Sequence, residues 1–195
     1  MNTKLIASAL LLAASVASPV IANAQSATYA IEPTHTFVTF EVKHFGTSTN
    51  RGRWDKKEGT VQLDKAAKTG KVDITIDAAS VNTGTAAFDN HLRSADFFDV
   101  ANNPTIKFVG TGMKFDGEKL TEVSGDLTIR GKTAPAVLKA TNFGCYEHPR
   151  LKREICGGDF ETTIVRSVYG VSFGVANNAI PDNVRLLVQV EAVKQ

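Results

Sequence analysis

Apolar and polar residues alternate with a period of two along most of this chain. Thr36, Val38, Phe40, Val42 and His44 share one parity, and His35, Phe37, Thr39, Glu41 and Lys43 the other. Val72, Ile74 and Ile76 alternate with Lys71, Asp73 and Thr75. Ile106 and Phe108, Leu127 and Ile129, and Phe160, Thr162 and Ile164 repeat the pattern, and Val184, Leu186, Val188 and Val190 close it. Successive side chains of a strand leave on opposite faces, so each run carries one apolar and one polar face. Half-buried strands of this kind pair antiparallel, with one dry side.

Turn residues separate the runs. Asp116-Gly117 predicts a tight hairpin, and Thr69-Gly70, Arg130-Gly131-Lys132 and Pro181-Asp182-Asn183 mark further reversals. About eight substantial strands result, which suits a closed barrel or a sandwich. The segment from Phe88 to Asp99 lacks alternation. Asp89 can cap a short helix over Asn90 to Ser94, with Phe88 and Leu92 on one face. Asn103-Pro104 then restarts extended chain. A short helix between strands can plug or lid one end of a barrel, or simply connect two strands and seal the core.

The first residues read differently. Lys4 is followed by an apolar run from Leu5 that reaches Ile21, and Ala22-Asn23-Ala24 has the small-x-small form of a signal-peptidase site. Residues 1–24 are therefore expected to be a signal peptide, cleaved after Ala24, with one domain over residues 25–195. A membrane anchor is the weaker alternative, because the strongly apolar core is short for a span. The location expected is periplasmic or secreted. Removing Lys4 lowers the formal charge from +2 to +1, a balance that offers nucleic acid no basic face.

Export exposes Cys145 and Cys156 to an oxidising compartment, where a disulfide is the default. Their backbones can approach as neighbours in a hairpin. A zinc site of Cys145, His148 and Cys156 is the alternative, and it lacks a clear fourth ligand.

An eight-stranded barrel either fills its interior with side chains or leaves room for one ligand, and periodicity does not choose between them. Nucleophile, zincin, phosphate-loop and Cys-x-x-Cys motifs are absent, so no catalytic residue and no cofactor is assigned. His35 and His44 lie on opposite faces, the wrong geometry for one metal. His44, on the apolar parity, is read either as a hydrogen-bonded core residue or as a polar point in the lumen. His91 and Arg93 are candidates for holding a polar head group, with local pairing of Arg93 to Asp96 as the alternative. Arg166 shares the inward parity of Phe160 and Ile164, so it requires an acid or a ligand oxygen as partner.

These residues resemble the YceI family of polyisoprenoid-binding, bacterial lipocalin-like proteins. The resemblance rests on His35-x-Phe37-Val38-x-Phe40, on Val42-x-His44-Phe45-Gly46 and on His91-Leu92-Arg93-Ser94-Ala95-Asp96-Phe97-Phe98-Asp99. It continues through Pro104-x-Ile106-x-Phe108, Gly125-Asp126-Leu127-Thr128-Ile129-Arg130-Gly131, Arg166-Ser167 with Tyr169-Gly170, and Val184 to Val193. The chain departs from the pattern at Val168, where an acid is common. The stretch from Cys145 to Gly158 looks like the cysteine-bearing subset of the family.

The resemblance implies an all-β, eight-stranded antiparallel lipocalin-like barrel with a short helix between strands and a long apolar pore. It implies an exported, non-enzymatic carrier or scavenger of a long isoprenoid lipid, either a prenylated quinone or a polyprenyl phosphate, that makes transient membrane contact. A broader sink for hydrophobic compounds such as fatty amides or lipophilic antibiotics, or a lipid-acting enzyme, are the alternatives, and a homodimer is compatible with the pattern. Candidate pore-lining residues are Val38, Phe40, Val42, Ile74, Ile76, Phe108, Leu127, Ile129, Phe160, Ile164, Leu186 and Val188.

Overall fold

The computed structural model describes residues 26–195, so the expected leader lies outside the described residues. Eleven strand segments form a single sheet. They are β1 Ala27–Ile31, β2 Phe37–His44, β3 Ser48–Trp54, β4 Lys57–Asp64, β5 Thr69–Asp77, β6 Val81–Asn82, β7 Thr105–Asp116, β8 Lys119–Ile129, β9 Lys132–Glu147, β10 Glu154–Val165 and β11 Asn183–Lys194. Among the described residues one α-helix, α1, spans Ala86–Arg93 between β6 and β7.

The segments reduce to eight strands because three of them are bent. β1 and β2 both pair antiparallel with β11, Ile31 opposite Ala192 and Phe37 opposite Gln189. β3 and β4 likewise run along β2 and β1, and β6 and β5 run along β3 and β4. All three bends sit at the same level of the sheet, and side chains hold them there. The Glu32 carboxylate accepts from the backbone N–H groups of Thr34 and His35 at 3.0 and 2.8 Å, and Ser80 Oγ accepts from Lys56 N at 3.0 Å. The Asp77 carboxylate accepts from Ala79 N at 2.9 Å and starts a short 3-10 turn.

From there the strands meander in sequence order through β7, β8, β9, β10 and β11. Pairing of β11 with β1 closes an eight-stranded antiparallel barrel. Closure through β1 and β11 leaves β6 and the part of β3 before Arg53 as the edge of an otherwise continuous sheet. The tight hairpin expected at Asp116-Gly117 joins β7 to β8: Asp116 pairs with Lys119, and Gly117, with a φ of 58°, takes the first position of the two-residue loop. The β8–β9 hairpin turns on Arg130 and Gly131, both at positive φ, the geometry of a tight two-residue loop.

The alternation makes the barrel interior apolar. Buried residues from every face-in parity form one main cluster, and a smaller one around Tyr29, Ile31, Leu63, Cys156 and Ala192 lies at the end holding the β7–β8 and β9–β10 hairpins. Tyr29 is almost fully buried there, and its hydroxyl donates to Glu154 at 2.6 Å.

Candidate functional site

A cavity of about 210 Å³ runs through the barrel, counted as room for the centre of a water molecule. One water needs only about 10–15 Å³ on that measure, so the barrel is not filled by its own side chains. The wall extends from Tyr29, Leu63, Met113 and Phe143 near one end to Phe88, Leu92, Phe97 and Ile180 near the other.

All twelve pore candidates lie on this wall: Val38, Phe40 and Val42 from β2, Ile74 and Ile76 from β5, and Phe108 from β7. Leu127 and Ile129 come from β8, Phe160 and Ile164 from β10, and Leu186 and Val188 from β11. Cross-strand register places them side by side. Phe40 faces Leu186, Val38 faces Val188, Ile74 faces Phe108, and Phe108 faces Leu127. A wall of this composition offers a guest dispersion contacts and a dry environment, with few places to hydrogen-bond.

Arg166 also lies on the wall and is 5% exposed. Its partners are neither an acid nor a free oxygen. Nε donates to Pro181 O at 3.0 Å, Nη1 to Val171 O at 3.0 Å, and Nη2 to Phe173 O and Ile180 O at 2.8 Å each. Burial pulls the guanidinium pKa down, and the nearby Asp182 opposes that pull. The expectation of a partner acid or ligand oxygen is corrected accordingly. The loop between β10 and β11 wraps its carbonyls around the cation, and Asp182 instead accepts from Ser167 N and Oγ at 2.8 and 2.6 Å.

The other polar candidates are not on the wall. His44 ends β2, is exposed, and stands edge-on to Phe45 at 4.8 Å. It keeps the inward parity, but the strand has passed the end of the barrel before reaching it. Both sequence readings of His44, buried core and lumen, are therefore corrected. His91 is half-buried on α1, 2.9 Å from an Asp96 carboxylate oxygen, with its ring edge-on to Phe97 and Phe173. Arg93 does not pair with Asp96. Its Nε donates to Ala79 O at 2.7 Å, Nη2 to Val81 O at 2.9 Å, and Nη1 to Asn90 Oδ1 at 3.1 Å, which fastens α1 to the 3-10 turn and β6.

Helix α1 is longer than expected: it begins at Ala86, and Thr85 rather than Asp89 holds the N-cap position. Asp89 is buried, and its carboxylate accepts from Thr83 N and Thr83 Oγ1, both at 2.7 Å, which anchors the first turn from inside the helix. Phe88 and Leu92 do share a face, and both reach the cavity with Phe97 and Phe98 from the following turn.

Sequence patterning missed Trp54, which also lines the cavity. It ends β3, whose inward positions are Asn50, Gly52 and Trp54, so no apolar alternation announces the strand. Gly52 is small for a reason, since a Cβ there would sit 2.5 Å from the Phe40 ring. Trp54 packs against Phe40 and Phe98, ring centroids 5.4 Å away in each case.

Cys145 and Cys156 are directly opposite in the β9–β10 ladder, their Cα atoms 4.1 Å apart, and they form a disulfide. Their sulfurs are bonded to each other rather than offered as thiolates, which removes the zinc alternative. His148 Nδ1 accepts from Arg150 N and Leu151 N at 3.2 and 3.1 Å and shapes the intervening turn. Among the described residues no helix is long and apolar enough to cross a membrane, a statement that does not extend to strands.

Fold and lumen together define a lipocalin-like barrel with an apolar interior. The YceI-like domain family matches residues 29–192, and the chain belongs to that family. It is similar to a UPF0312 protein of Pseudomonas savastanoi pv. phaseolicola, 42% identical over 122 residues that cover 61% of this chain and 64% of the relative's length. The crystal structure of the Campylobacter jejuni YCEI protein matches with a TM-score of 0.68 and 30% identity, over 78% of this chain and 90% of that one. A polyisoprenoid binding domain from Saccharophagus degradans, implicated in plant cell wall breakdown, shares the fold at a TM-score of 0.61 and 16% identity, over 88% of this chain and all of that one (100%).

Proposed function

We propose that this protein is an exported carrier or scavenger that holds a long isoprenoid lipid in the barrel lumen. The observation that carries the reading is the continuous apolar wall, drawn from all eight strands and α1 and enclosing unfilled space. The polyisoprenoid binding of the Saccharophagus domain supports it by analogy of fold. The signal-like leader and the disulfide both suit an oxidising compartment outside the cytoplasm.

The energetics favour exchange over permanent capture. Each methylene moved out of water gains about 0.8 kcal/mol, so a long prenyl chain gains a large free energy in the lumen. The bilayer offers the same chain nearly the same gain. The difference between the two hosts is therefore small, and transient contact with a membrane suffices to load or unload the barrel. Nothing in this process requires a catalytic group.

Organic extraction of the protein purified from its native compartment, followed by mass spectrometry, tests the reading. A co-purified prenyl lipid is expected. Ile129→Asp places an unpaired carboxylate in the wall, and desolvating it is costly. Lipid recovery should collapse in that variant while circular dichroism remains that of a β-barrel. Undiminished lipid in the folded variant would show that the lumen is not the site.

A further inference from the structure

Large apolar side chains project from the barrel end covered by α1 and the β10–β11 loop. Phe45, at the tip of the β2–β3 hairpin, is 65% exposed, Val168 is 52% exposed and Phe173 45%. They share this end: Phe45 N donates to Ala179 O at 2.8 Å, and Ser167, beside Val168, is tied to Asp182 just before β11. Phe45 is displayed at a cost. It and Gly46 are the central residues of the turn closed by Thr47 N and His44 O, and its φ is 48°. That left-handed position suits Asn or Gly, and a bulky side chain there is strained. Strain spent on showing an aromatic ring to solvent points to a use for the ring outside the fold.

The patch is continuous with the lumen. Phe173 packs on Phe97, ring centroids 5.3 Å apart, and Phe97 lines the cavity. Two exposed lysines flank the patch: Lys43, two residues before Phe45, and Lys132, whose ammonium lies beside Gly170, two residues after Val168. Neither lysine forms an ion pair among the described residues. Carboxylates at this end are engaged, Asp96 by His91, Asp99 by Asn102 and Asn103, and Asp182 by Ser167. Apolar tips between lysines match the acyl and anionic layers of a bilayer surface. The competing feature is Leu151, 51% exposed between Arg150 and Lys152 at the opposite end. There one leucine projects alone, and the Cys145–Cys156 disulfide and the Tyr29–Glu154 hydrogen bond fasten the end of the lumen.

We propose that the α1 end docks on a lipid bilayer, with Phe45, Val168 and Phe173 inserted and Lys43 and Lys132 against anionic head groups. This rests on the lumen reading, because the lipid held in the barrel is the cargo exchanged there. Loading then proceeds past Phe173 and Phe97, between the helix and the β10–β11 loop, and not through the stapled β9–β10 hairpin.

The purified protein is sedimented with vesicles of phosphatidylcholine and with vesicles of equal parts phosphatidylcholine and phosphatidylglycerol. The same preparations are extracted for co-purified lipid. Binding is expected to both, and more tightly to the mixed vesicles. Phe45→Asn should weaken it roughly tenfold while Tm holds or rises, since Asn accepts the left-handed turn. Lys43→Gln should weaken binding roughly fivefold on the mixed vesicles and leave the neutral ones unaffected. Leu151→Asn should leave binding unchanged.

No sedimentation of the native protein, or unchanged binding in Phe45→Asn, would overturn the proposal, and a prenyl lipid in the extract would leave the lumen reading standing. Loss in Leu151→Asn with Phe45→Asn intact would move docking to the opposite end and overturn it too. A stable dimer that Phe45→Asn dissociates would assign the patch to a second copy of the chain instead. Vesicle binding that depends on Phe45, with no lipid extracted, would support the docking face and overturn the cargo. If Phe45→Asn does not fold, Val168→Asp, which puts an exposed charge in the same patch, decides in its place.

Discussion

Replacing Arg166 by Met tests how the barrel end at the β10–β11 loop is held. The substitution removes four hydrogen bonds of 2.8–3.0 Å to the carbonyls of Pro181, Val171, Phe173 and Ile180. A hydrogen bond to a charged group contributes about 1.5–3 kcal/mol, so four set an upper bound of about 6–12 kcal/mol. Two effects reduce that. The guanidinium no longer has to be desolvated, and Phe173, which is exposed, can turn its carbonyl to water. The expected loss is about 3–5 kcal/mol, the cost typical of stripping one side from a buried charged set. For a domain of roughly 150–250 residues that lowers Tm by about 6–20 °C. Arg166→Lys keeps the charge but gathers its donors on one nitrogen, which cannot span four divergent carbonyls, and should recover less than half of the loss. Calorimetry and chemical denaturation of the three proteins provide the numbers. A fall below about 3 °C in the Met variant would refute the carbonyl-cage account. Full stability in the Lys variant would point instead to simple attraction between the charge and Asp182.

The disulfide and the first bend offer two more tests. Cys145 and Cys156 are 11 residues apart, so the Cys145→Ser/Cys156→Ser double variant should lose about 2–3 kcal/mol in guanidinium unfolding while keeping the barrel. An unchanged midpoint would count against a stabilising role. Burial works to raise the Glu32 pKa, but the hydrogen bonds from Thr34 and His35 outweigh it and bring the carboxyl to about 2. Since the folded-state pKa lies below the ordinary value of 4.5, the stabilisation is fully present above about 4.5 and fades as pH falls toward 2. The difference in Tm between the native protein and Glu32→Gln should therefore narrow over that interval, and a pH-independent difference would contradict the assignment.

Alternation alone carried the barrel wall. In β2, β5, β7, β8, β10 and β11 the inward positions are apolar apart from Thr162 of β10 and His44 at the end of β2, and a strand whose side chains alternate has no other way to bury them. Those residues line the lumen in the structure as their parity requires. The cysteines were legible too, because oxidation and hairpin proximity both depend on local sequence.

Other features depended on where the chain ends up in space. β3 carries Asn50 and Gly52 inward, the glycine because Phe40 from β2 already occupies the space, so its pattern reads as polar although it delivers Trp54 to the lumen. His44 has the right parity and the wrong height, a distinction that needs the barrel end to be known. Arg166 finds its acceptors up to fifteen residues away, in main-chain carbonyls that carry no sequence signal. Arg93 likewise is bound to the carbonyls of Ala79 and Val81, which tie the helix to the sheet. The sequence by itself determined which faces turn inward, since that follows from a two-residue period and the hydrophobic effect. Only the tertiary structure decided which polar groups meet which partners, because backbone acceptors are alike in every residue and only folding brings one of them to a given side chain.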